Sequence, residues 1–187
     1  MSDSAGTEHT SATFAGAPPE QDRADLLDIL GFQRWLLLST VEGISDEQAR
    51  HRSTVSELTL GGVIKHLRDT ENSWMDFVEG TAGSMSRGFD EMTEDDWVAR
   101  TDSFTLLENE SVAGTVAAYQ TVAERTDALV RTVDLDEAHP LPAAPWFPPG
   151  AVRSNRRVFM GMVSELAQHS GHADIIREAI DGKKSMG

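Results

Sequence analysis

The chain has 187 residues, enough for one domain with a full core, and its 31 acidic and 16 basic residues give a net charge of −15. That balance argues against nucleic acid or an anionic membrane surface as a partner, and no apolar run approaches the ~18–20 residues of a membrane span. There is no cysteine, which excludes a disulfide framework, a thiolate ligand and a cysteine nucleophile, so any thiol chemistry must use a thiol supplied by a substrate.

Residues 1–19 carry almost no large apolar side chain and read as a disordered or loosely attached tail. They lack the basic and apolar regions of a secretory signal, so a cytoplasmic protein is expected. His9, within this tail, is expected to be a solvated residue and not a ligand. From Glu20 to about Glu42, the residues Leu26, Leu27, Leu30, Trp35, Leu37, Leu38 and Val41 give a helix of about six turns, with Gly43 as its stop. Ser45-Asp46-Glu47-Gln48 then offers a capping signature for a short turn through Arg50.

The second long helix runs to about Glu79, with Leu60, Ile64, Leu67, Trp74 and Val78 as its core stripe. His66 sits on its flank beside Val63, Thr70 and Phe77. Glu71 lies within the apolar stripe, about 140° around from His66, and reads as a structural hydrogen-bonding residue. Gly61-Gly62 has no following Lys-Ser/Thr, so it reads as a close-packing site and not as a phosphate loop. Residues 81–107 are acidic and irregular, with Phe89, Trp97 and Phe104 as apolar anchors. They lack the spacing of a calcium loop and read as a solvated face, with Glu94-Asp95-Asp96 capping a short helical turn.

A third helix spans about Glu110 to Thr132, with Val112, Val116, Tyr119, Val122, Ala123, Leu129 and Val130 apolar. Residues 134–155 carry five of the seven prolines and read as an extended crossover loop, in which Trp146-Phe147 could fold over a pocket. The last helix begins near Val158 and closes near Asp181-Gly182, before a short polar tail at 183–187. Val158, Met162, Ile176 and Ala179 define its core stripe, and Glu165, His169 and His172 fall in the middle of it. Glu165 and His169 are about 40° apart around the axis, with His172 between them. A carboxylate and two imidazoles in an apolar face are costly unless satisfied, by a bound cation or by a buried Glu–His hydrogen bond.

These elements indicate an all-α fold: a four-helix bundle over residues 20–182, with a long second-to-third connection and a Pro-rich loop before the last helix. The segments Thr59-Leu60-Gly61-Gly62-Val63-Ile64-Lys65-His66-Leu67 and Glu165-Leu166-Ala167-Gln168-His169-Ser170-Gly171-His172-Ala173-Asp174 resemble the DinB-like superfamily. The likeness is to its actinobacterial branch of unknown function and to the mycothiol-dependent maleylpyruvate isomerase-like members, and it spans about residues 22–182. It implies one divalent metal, zinc or else nickel, held by His66, Glu165 and His169. His172 would then be a fourth ligand, a neighbour of the ligands or a catalytic group. It also implies transfer of a low-molecular-weight thiol, such as mycothiol, to a small electrophile, and a homodimer, for which the first helix holds more apolar residues than one face needs. A metal-binding protein without turnover and a metal-assisted hydrolase are the competing readings.

Overall fold

The structure, a computed structural model, describes residues 19–81 and 89–186. The expectations for the N-terminal tail and His9 lie outside them, apart from Pro19, which opens the first helix. Four long helices form the body: α1 (Pro19–Ser39), α3 (Leu60–Val78), α5 (Val112–Thr132) and α6 (Asn155–Asp181). Between them lie α2 (Asp46–Arg50) and α4 (Glu94–Asp102), and a hairpin of β1 (Ala138–Pro140) with β2 (Val152–Ser154). α3 packs against α5 and α6, and α1 against α6 and α5, closing a four-membered ring. No helix among the described residues is long and apolar enough to cross a membrane.

Local chemistry sets the helix ends. Ser45 accepts the Gln48 amide while the Gln48 side chain accepts the Ser45 amide, a reciprocal capping box that starts α2. Thr93 and Asp96 do the same for α4. α6 ends at Gly182, whose φ of 78° is easy for a residue without a Cβ.

The core is built from Leu30, Leu37, Leu60, Ile64, Leu67, Phe159, Met162 and Leu166, all fully or almost fully buried. Glu71 lies among them with no exposure, as a structural hydrogen-bonding residue should. Its carboxylate accepts from Arg34 at 2.6 Å and from Tyr119 Oη at 3.2 Å, and Arg34 also reaches Asp127 at 2.7 Å. Burial would lower the Arg34 pKa, but Glu71 and Asp127 more than offset it and raise the guanidinium above its ordinary value. Three of the four long helices are thus tied by one buried ionic network.

Some positions depart from the helical stripes. Trp35 is 54% exposed and forms a surface apolar patch with Ile29 and Phe32. It lies on the outer side of a helix whose buried face is already filled by Leu30, Arg34 and Leu37. Ala179 is exposed in the last turn of α6. Trp74 is only half-buried, because it packs on the core with one side and lines a cavity with the other. The Pro-rich segment is not wholly extended loop. Ala138 pairs with Ser154 and Pro140 with Val152, antiparallel, and Ser154 at the end of β2 caps α6 directly.

Candidate metal centre

His66 is positioned from below by glycine and from above by an aromatic ring. Thr59 caps α3 by accepting the Gly62 amide at 3.2 Å. Gly61 and Gly62 then press against residues 104–106: a Cβ on Gly62 would lie 2.0 Å from the Phe104 carbonyl oxygen, and one on Gly61 2.7 Å from Leu106 Cβ. The glycine pair is therefore a close-packing site. Lys65, buried beside it, donates to the Thr105 carbonyl and to Glu110 and holds the same segment down. One turn beyond Gly62, the Phe104 ring lies on the His66 imidazole, with centroids 4.2 Å apart and planes at 19°.

α6 brings Glu165 and His169 to the same place. Ligand atoms of His66, Glu165 and His169 all lie within 4.8 Å of one another, and the His66 and His169 rings are 4.9 Å apart. His172 stands beside them, its ring 5.4 Å from that of His169, but it is not part of that cluster. The expected burial holds for only part of the group: the His169 side chain is 13% exposed, whereas that of Glu165 is 43% exposed and opens to solvent.

Both clustered imidazoles are held neutral. Burial is the main cause that pushes His66 down to about 4, with the charges of His169 and Arg100 adding to it and Asp69 opposing it. Burial also lowers His169, with Glu165 opposing and His172 adding. Neutral imidazole is the ligating form. A Glu–His hydrogen bond does not account for the group, since Glu165 Oε2 and His169 Nε2 are 3.6 Å apart. Nδ1 of His169 and Nδ1 of His172 are buried without a hydrogen-bond partner. Orphaned nitrogens beside a carboxylate fit a cation, and two imidazoles with one carboxylate is a donor set that zinc accepts in catalytic sites.

A cavity of about 450 Å³ opens on His66, walled by Trp74, Arg100, Phe104, Trp146 and Phe147. Trp146-Phe147 thus does fold over a pocket. Arg153, from β2, lies over both the Trp74 ring (4.7 Å) and the Phe147 ring (5.3 Å). The sequence reading missed the parts played by Arg100 and Arg153 and took Phe104 only as an anchor. The one available signal for Phe104 was the glycine pair, which demanded some close neighbour without saying which.

The comparisons with known proteins bear on both fold and family. No curated protein matches the chain. A solved structure described as a conserved protein of locus from Enterococcus faecalis superposes with a TM-score of 0.62, covering 90% of this chain and 100% of that one. At 11% identity, that likeness speaks to the fold alone. The family model for mycothiol-S-transferase matches residues 25–182, which include both helices of the candidate centre. By that match, the chain belongs to the mycothiol-S-transferase family, of DinB-like type.

Proposed function

We propose that this chain is a metal-dependent S-transferase that joins a low-molecular-weight thiol of the mycothiol type to a small electrophile. In this reading His66, Glu165 and His169 hold one divalent metal, with zinc favoured by the donor set. The observation that carries it is the convergence of three ligand atoms within 4.8 Å from two helices, one of them on His66, which also lines a largely apolar cavity. A divalent metal there supplies Lewis acidity, which lowers the pKa of a bound thiol toward neutrality.

The remaining work falls to the chain. His172, with an unpartnered ring nitrogen beside the cluster, accepts the thiol proton. The sulfur then forms a bond to the electrophilic carbon, whose leaving group departs with its bonding pair. Trp74, Phe104 and Phe147 keep water from that carbon and orient the electrophile's apolar body. With no cysteine of its own, the protein presents no competing thiol.

Elemental analysis and metal titration test the centre, combined with conjugation of a model electrophile to N-acetylcysteine or mycothiol before and after chelation. One metal per chain is expected, lost in His66→Ala and His169→Ala together with activity. Stoichiometric binding that survives both substitutions would place the metal elsewhere.

A further inference from the structure

The cavity beside His66 has a guanidinium in its lining, in a chain with a net charge of −15. Arg100, on α4, lines the cavity and lies near enough to His66 to lower its pKa. Its carbonyl accepts from Ser103 Oγ at 2.7 Å, but among the described residues its guanidinium has no hydrogen-bond or ion-pair partner. The two carboxylates in the lining are engaged elsewhere: Asp69 accepts from Arg68 at 2.7 Å, and Asp96 is held by the Thr93 amide and hydroxyl at 2.8 and 2.7 Å. Aromatic side chains make up much of the rest of the cavity wall. Trp74 and Phe147 are braced by the Arg153 guanidinium over both rings, and Phe104 lies on His66.

A planar apolar body fits between such walls, and a guanidinium without a partner is a fork for an anionic group. We propose that the electrophile accepted at this site is a flat aryl carboxylate, with Arg100 as the contact for its anionic group and the aromatic wall as the seat for its ring. This rests on the S-transfer reading above and names its second substrate. A thiol bearing a carboxylate could use the same contact, so both partners are varied in the test. With 4-chloro-3-nitrobenzoate the balance is simple. The thiol proton goes to the base, the C–S bond forms, and chloride leaves with the C–Cl pair.

The metal-loaded protein is assayed with 4-chloro-3-nitrobenzoate and with the uncharged 4-chloro-3-nitrobenzamide, each against N-acetylcysteine and its neutral amide. Arg100→Gln is expected to raise KM for the benzoate about tenfold, with either thiol, and to leave the benzamide reaction unchanged. Loss that follows the carboxylate of the thiol, or equal loss for both electrophiles, would overturn the proposal. Calorimetric titration with unreactive 4-nitrobenzoate and 4-nitrobenzamide needs no turnover. Tighter binding of the benzoate, lost in Arg100→Gln, supports the subsite even if no conjugation is seen, in which case only the transfer reading fails. Equal binding of the two compounds refutes the subsite, whatever the activity. Arg100 is exposed and unpaired on a peripheral helix, so the variant is expected to fold, as circular dichroism will show.

Discussion

Gly62→Ala tests the claim that close packing of α3 against residues 104–106 builds the metal centre. The new Cβ would sit 2.0 Å from the Phe104 carbonyl oxygen, 2.8 Å from its carbonyl carbon and 3.0 Å from Thr59 Oγ1. The first two are backbone atoms and cannot rotate away, so either α3 or the 104–106 segment must shift. Overpacking of this kind costs about 1–3 kcal/mol, and a clash with backbone belongs at the upper end. Removing a helical glycine returns up to about 1 kcal/mol, which leaves a net loss of roughly 2 kcal/mol. For a chain of this size that is a fall of about 4–8 °C in melting temperature. The same shift moves the ring stacked on His66, so metal affinity should drop with stability. Gly31→Ala is the control, because nothing lies within 4 Å of its Cβ position and it should gain about 0.5–1 kcal/mol from helix propensity alone. Thermal and urea unfolding of both variants, with metal titration, decides the matter. A Gly62→Ala protein as stable as wild type, beside a normal Gly31→Ala, would refute the reasoning.

Three further outcomes are expected. In metal-free protein the unfolded chain binds a proton at His66 near pH 6.5 while the folded chain resists until about 4, so the stability His66 contributes rises with pH between those values and is flat above them. Because the ring is only partly buried, the wild-type-minus-His66→Gln stability difference should grow by about 1–3 kcal/mol from pH 4 to pH 7.5 in denaturant titrations, and no growth would count against a suppressed protonation. Glu71→Gln leaves Arg34 buried without its inner partner and should cost about 3–5 kcal/mol in urea unfolding, whereas Tyr119→Phe should cost about 1 kcal/mol. His172→Ala should retain the metal but lower thiol transfer by about 10²–10⁴-fold; loss of metal to the extent seen in His169→Ala would make it a ligand instead.

The parts of this protein that obey a period were legible in the sequence. Leu60, Ile64, Leu67 and Val78 recur at helical spacing and are all buried, as are Val158, Met162 and Ile176. Glu165 and His169 stand one turn apart on one helix, and that spacing alone put them on a shared face. Capping chemistry was equally plain, because Ser45 with Gln48 and Gly182 act within a few residues of themselves. The hairpin gave no such signal. Its strands are three residues long and one contains Pro140, too short for alternation to register and too proline-rich to read as a strand. Trp74 and Trp35 misled for a related reason: period places a residue on a helix face, but whether that face meets a core, a cavity or solvent depends on neighbours from elsewhere in the chain.

The cavity is the extreme case. Its wall takes His66 and Trp74 from α3, Arg100 from α4, Phe104 from the turn after it, and Trp146 and Phe147 from the hairpin. Only the first two share an element whose geometry fixes their relation. The candidate ligands His66, Glu165 and His169, by contrast, sit on two long helices packed against each other. A centre that must bind a small ion needs that rigidity, whereas a wall that must admit a substrate does not. The glycine contact at Phe104 joins the two, so the α4 segment can present Arg100 and Phe104 to the cavity although no residue of α4 itself is buried. The candidate ligands were therefore readable from spacing, whereas the cavity was readable only from its assembled walls.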